Sequence, residues 1–171
     1  MAARGKRSQG EGSAESISLR TTEAIIAEAQ KLLGVPYLWG GMSSKGVDCS
    51  GLVRISHIMN GILLPRNASQ QIFCGDKVPM EIDTHFWDEE ARKAHEFSAE
   101  MQRRVKNLKR GDLVFFGTPE TLVKKERITH VGIYIGNGQF VHASSGRGCV
   151  TISDLWSNYY TNHYYGARRV F

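Results

Sequence analysis

The apolar residues of this chain change their period once, near Gly111, and that change limits the folds open to it. Upstream they recur at helical spacing. Ile25, Ile26, Ala29, Leu32 and Leu33 share one face of a segment that Gly34 ends, and Thr22, followed by Glu23, is placed to cap its start. A second helix is expected to start at Asp48 and run to Asn60-Gly61, with Leu52, Ile55 and Met59 facing inward. A short third follows Pro65, with Asn67 as its cap and Gln70 three residues on. Downstream of Gly111 the apolar residues come in short runs at 113–116, 131–135, 139–143 and 150–152, with 164–171 as a last strand and glycines in the turns between. Helices first and strands afterwards imply an α+β domain whose N-terminal helices pack on an antiparallel β-sheet.

The chain has 171 residues, enough for one domain with a sizeable core, and its 41% hydrophobic and 23% charged residues are ordinary for a globular protein. Residues 1–18, rich in Gly, Ser, Arg and Glu, read as a flexible leader or linker remnant, which leaves 19–171 as the domain. Arg4, Lys6 and Arg7 have no apolar stretch behind them, so the segment does not read as a secretory signal. No apolar run approaches the roughly 18 residues of a membrane span. Residues 87–105, charged and free of Gly and Pro, read as an exposed helix inserted ahead of the sheet. The net charge of +5 favours anionic partners, but the basic residues are scattered and match no nucleic-acid-binding motif, so no nucleic acid is expected.

Three cysteines cannot all pair within one chain, and no two of them have C-x-x-C spacing. No metal or other cofactor is expected, and at least one thiol is free. Cys49, in Asp48-Cys49-Ser50-Gly51, falls at the first turn of a helix, where the macrodipole favours thiolate and an outward amide can serve as an oxyanion donor. Asp48 opposes the thiolate, so it reads as a helix cap or as a grip on a positive group of a substrate. A free cysteine is most often a small buried hydrophobe, and this tetrapeptide alone does not decide between the two. Cys74 and Cys149 have no activating context and read as structural.

Thr129 to Ala143 reads as a hairpin with a histidine on each strand, His130 and His142. If Gly136, Asn137 and Gly138 form a three-residue loop, Gly132 faces His142 and His130 lies diagonally across on the same face, about 7–8 Å away at the backbone. A two-residue Asn-Gly loop would put the histidines on opposite faces unless a bulge intervenes. On one face they supply what a thiol nucleophile needs, His130 as the base and His142 as the group that orients it. Either histidine alone would be an ordinary sheet residue; the pair downstream of a helix-start cysteine points to catalysis.

Five motifs in order, Pro36-Tyr37-Leu38-Trp39-Gly40-Gly41, Asp48-Cys49-Ser50-Gly51-Leu52, Gly111-Asp112-Leu113-Val114-Phe115-Phe116, His130-Val131-Gly132-Ile133-Tyr134-Ile135-Gly136 and Phe140-Val141-His142-Ala143, resemble the NlpC-type cell-wall endopeptidases across roughly residues 22–171. The resemblance implies a papain-like fold and hydrolysis of peptidoglycan stem peptides, or murein fragments, between γ-D-glutamate and a diamino acid. It implies Cys49, His130 and His142 as the catalytic set, Tyr37 and Trp39 at the cleft, and Asp48 and Ser50, with Ser69 nearby, holding the substrate's free N-terminal amine. It also implies a monomer that works in the periplasm, at the cell wall or secreted. The 76–109 stretch is longer than the usual connection and is expected to be a surface insertion. Two other functions are open to such a chain: an acyltransferase with the same Cys-His chemistry, disfavoured because Cys49 precedes His130, and a silent wall-binding module, disfavoured by the complete Cys-His-His set.

Overall fold

The computed structural model describes residues 9–81, 96–118 and 127–171. Helix α1 covers Gln9–Lys31 and buries Ile25, Ile26 and Ala29, the face read from their spacing. It starts well before Thr22, so residues from Gln9 onward continue the helix and Thr22 is not its cap. Thr22 instead lies buried where the Gly111 turn crosses α1. Gly111 has φ +88°, and a Cβ there would sit 2.6 Å from Thr22 Cγ2, so both the backbone and the close approach require glycine.

A two-stranded hairpin, β1 (Met42–Ser43) and β2 (Gly46–Val47), leads into helix α2 (Cys49–Ile58). Asp48 is its N-cap, as expected, accepting from the Gly51 amide at 2.7 Å. Leu52 is fully buried, but Met59 lies at the C-cap and is exposed, against expectation. Helix α3 (Ala68–Gln71) follows Asn67, whose side chain makes no capping bond. Gln71, rather than Gln70, turns inward there and donates to the carbonyls of Ser50 and Pro65.

The remaining strands, β3 (Asp76–Lys77), β4 (Leu113–Thr118), β5 (Arg127–Gly136), β6 (Gln139–Ser144), β7 (Cys149–Asp154) and β8 (Tyr164–Arg169), form one antiparallel sheet in the order β3-β8-β4-β5-β6-β7. Leu113, Val114, Phe115 and Phe116 are all buried in succession, the mark of a strand covered on both faces. On one face α1 and α2 pack Ile25, Ile26, Leu52 and Val53 against Leu113, Phe115, Val131, Ile133 and Val141. On the other, Val114, Phe116, Phe140 and Tyr164 pack against Met101 and Val105 of helix α4 (Glu96–Val105). The expected exposed helix is therefore, in its described part, a covering layer: Met101 is 1% exposed. Residues 87–95 of that expectation lie outside the described ones. Helix α5 (Asn158–His163), which no periodicity announces, leads into β8.

The β5–β6 turn departs from the expected three-residue loop. Gly136 pairs with Gln139, so Asn137 and Gly138 alone form the loop, with φ of 53° and 76° as a type I′ turn requires. Register then shifts between Tyr134 and Gly136, and Ile133 pairs with Val141. This bulge at Ile135 restores the parity that puts both histidines on one face. Its carbonyl accepts from Arg110 Nη1, and Glu23 of α1 holds that arginine through two bonds of 2.7 Å. The bulge is thus tied to the helical layer.

Candidate functional site

Cys49 opens α2 and is 8% exposed. Burial pushes its thiol up and the Asp48 carboxylate adds to that, while the amides of Val131, Ser50 and Cys49 itself pull the other way. The net direction is upward, so the thiolate preference expected from the helix start is outweighed at rest by burial and by the neighbouring carboxylate. The Val131 contact sets the sulfur beside β5, at the residue that follows His130.

His130 Nε2 and His142 Nδ1 are 2.8 Å apart, with the rings nearly perpendicular. On its far side His142 Nε2 meets Ser153 Oγ at 2.8 Å, with the Tyr160 hydroxyl at 3.3 Å. Phe116 and Phe140 pack against the two imidazoles. Burial lowers His130 to about 4; burial, His130 and the Arg147 cation together lower His142 to about 3. Both rings are therefore neutral at pH 7. Because His142 occupies Nε2 of His130, the other nitrogen, Nδ1, is the one left to exchange a proton with a substrate or a thiol.

Gly132 makes room for this pair. A Cβ on it would lie 2.6 Å from Cδ2 of the fully buried Phe140, 3.0 Å from the Val141 carbonyl and 3.2 Å from His142 Cβ. Gly132→Ala is expected to cost about 1–3 kcal/mol by overpacking and to push His142 off its bond to His130. Thermal unfolding and peptide cleavage on the same variant check this, and a variant with native stability and activity would refute it.

Asp48 does more than cap α2. Its Oδ2 accepts from Arg66 Nη2 at 2.6 Å and from the Gly40 amide at 2.9 Å, and its Oδ1 accepts from Arg66 Nη1 at 2.9 Å. Arg66 also donates to Ser50 Oγ at 3.0 Å. Burial raises the Asp48 carboxyl, but the Arg66 bonds and the amides of Gly51 and Gly40 outweigh that and hold it below its usual range. While Arg66 is in place, a substrate amine finds both Asp48 oxygens already shared. Trp39, Asp48, Cys49, Ser50, Arg66 and Ser69 line a cleft of ≈ 590 Å³. Trp39 is 82% exposed at its rim. Tyr37 is half-buried, and burial, then Cys49 and Asp48, raise its hydroxyl, which sets it within electrostatic reach of both.

Residues 34–169 match the NlpC/P60 family. The chain belongs to that family. This NlpC/P60 domain is 37% identical over 147 residues to the gamma-DL-glutamyl hydrolase of Bacillus subtilis (strain 168), covering 85% of this chain and 28% of that protein. It is 32% identical over 151 residues to the gamma-D-glutamyl-L-lysine dipeptidyl-peptidase of the same organism, covering 88% and 42%. Among solved structures, an NlpC/P60 family protein from Bacillus cereus ATCC 10987 superposes with a TM-score of 0.65 at 30% identity, covering 87% of this chain and 40% of that one. The chain thus spans less than half the length of these relatives. The fold is papain-like, as the motifs imply.

The structure brings Asp48, Cys49, Ser50 and Ser69 to one cleft and joins His130 to His142. Arg66, Ser153 and Tyr160 escape sequence reading. Ser153 and Tyr160 reach His142 only through the β6–β7 pairing and the α5 turn, which no local spacing encodes. Arg66 sits beside the Asn67 cap signal, and a lone basic residue there carries no mark of its partner eighteen positions upstream. Of the other histidines, His57 is fully buried, with Nδ1 on the Val53 carbonyl at 2.7 Å.

Proposed function

We propose that this NlpC/P60 domain is a thiol endopeptidase of peptidoglycan stem peptides, cutting between γ-D-glutamate and the diamino acid. One observation carries the reading: the hydrogen-bonded line from His130 through His142 to Ser153, with Cys49 at the start of α2 near enough to Val131, the residue after His130, for its amide to act on the thiol. The names of the relatives, a gamma-DL-glutamyl hydrolase and a gamma-D-glutamyl-L-lysine dipeptidyl-peptidase, support the bond class.

In the proposed reaction Cys49 Sγ attacks the γ-glutamyl carbonyl as its proton passes to His130 Nδ1. The imidazolium that forms donates from Nε2 to His142 Nδ1, and His142 in its Nε2–H form donates to Ser153 Oγ, so one proton shift is accommodated along three side chains. The Cys49 amide at the start of α2 faces the developing oxyanion. His130 then returns its proton to the leaving amine, the C–N bond breaks, and water hydrolyses the thioester by the same path in reverse. Trp39, Ser50 and Ser69 form the acyl side of the cleft, with Asp48 and Arg66 as a fixed pair at its end and Tyr37 within electrostatic reach of Cys49 and Asp48. On such a substrate the domain works in the periplasm, at the wall or secreted, as a monomer on its peptide.

The test is incubation with L-Ala-γ-D-Glu-diaminopimelate, free or blocked at its N-terminus, with products read by mass spectrometry. Cleavage at the γ-D-glutamyl bond is expected. A preference for the free amine would show that the substrate displaces Arg66 from Asp48; equal rates would leave that pair structural. A protein whose Cys49 is alkylated readily yet cuts neither peptide would sink the peptidase reading in favour of acyl transfer.

A further inference from the structure

A second cleft, of ≈ 530 Å³, is lined by His130 itself, and Thr129 lines both it and the Cys49 cleft, so the two adjoin beside the base. This inference rests on the peptidase reading: since His130 hands its proton to the leaving amine, the residue released must lie on the His130 side of the scissile bond. The second cleft is where that residue goes.

In the first cleft Arg66 is neutralised by Asp48, and the exposed Arg127 also stands in the lining. In the second, no carboxylate stands among the described residues, and Ser144, Ser145 and Tyr160 share the lining with Arg147. The Arg147 backbone amide donates to Ser144 Oγ at 3.1 Å, which fixes the turn that carries it. Elsewhere in the molecule Arg104, Arg110 and Arg169 each hold a carboxylate, from Glu100, Glu23 and Asp112. Among the described residues no carboxylate pairs with Arg147, which is exposed and whose charge is felt at His142 and Tyr160.

We propose that this cleft is the leaving-group subsite and that Arg147 reads a free carboxylate on the residue released. A guanidinium among hydroxyls matches a carboxylate, which it can hold through two parallel bonds, and it repels an ammonium. Two sources carry that chemistry: the side-chain end of diaminopimelate, which lysine lacks, and the α-carboxylate of a stem peptide that ends at this residue.

Four peptides separate them: L-Ala-γ-D-Glu-X with X as diaminopimelate or L-lysine, each as the C-terminal acid or amide. The lysine amide, with no carboxylate on X, is expected to be cut about tenfold or more slowly in kcat/KM than the best of the others. A preference that follows diaminopimelate in both acid and amide assigns the side-chain end; one that follows the free acid in both residues assigns the α-carboxylate. In Arg147→Gln the ratio is expected to fall to about one, and Arg147→Lys, which keeps the charge without the fork, to fall between. Four peptides cut at equal rates by the unmodified protein, or a preference that survives in Arg147→Gln, would overturn the assignment and leave the peptidase reading standing. Cleavage of none of the four would remove both.

Discussion

Cys49→Ala is expected to lower cleavage of the γ-D-glutamyl peptide by roughly 10⁵–10⁶-fold, to background, because removing the nucleophile of such a set costs about as much as removing the whole set. The stability cost should be small. Cys49 is 8% exposed, and the sulfur it loses leaves a cavity worth about 1 kcal/mol, or roughly 2–4 °C in a chain of this size. The cap of α2 is untouched, since Asp48 bonds the Gly51 amide rather than the cysteine. Cys74 and Cys149 are also free thiols, and both remain in the variant. Thermal unfolding and mass spectrometry on the same preparation separate lost chemistry from lost fold. A well-folded variant that keeps more than about a thousandth of the rate would mean that Cys49 is not the nucleophile.

Local signals are legible in the sequence and long-range ones are not. Asp48 as N-cap and Cys49 at the first turn follow from chemistry within four residues, and both hold. The strands after Gly111 are legible because each carries β-branched and aromatic residues between glycines; the first four observed spans extend the expected ones, and the last ends at Arg169, short of the expected 171. The histidine pair depends on parity, and parity depends on a turn. Asn137-Gly138 takes the two-residue form, and only the bulge at Ile135 keeps His142 opposite Gly132. That bulge is stabilised by Arg110 and Glu23, which are far apart in the chain. The α4 layer escapes sequence reading for a related reason. Met101 and Val105 are two apolar positions among charges, and their burial is set by the second face of the sheet at Phe116 and Phe140, not by their own neighbours in sequence.

Asp48→Ala is expected to cost about 3 kcal/mol, which combines a lost N-cap of about 1 kcal/mol with an Arg66 left without its counter-ion. The second contribution is reduced because the Arg66 side chain is 29% exposed and partly solvated. For a chain of this length the midpoint should fall by roughly 6–12 °C. Asp48→Asn keeps a capping oxygen for the Gly51 amide but loses the charge that holds Arg66, so it should recover about 1 kcal/mol of the loss. Acid should act like the second variant. The folded-state carboxyl is held low, so the stabilisation it contributes is present above its unfolded pKa and is lost as pH falls through the lowered folded value. In the wild type the pair therefore weakens only in strong acid, and in Asp48→Asn that part of the acid dependence should vanish. Cleavage should fall in both variants, because Arg66 also holds Ser50 Oγ at the cleft. Equal midpoints for wild type and Asp48→Ala would show that the Arg66 pair and the cap contribute nothing net, and the fixed end of the acyl cleft would then have to be assigned to other residues.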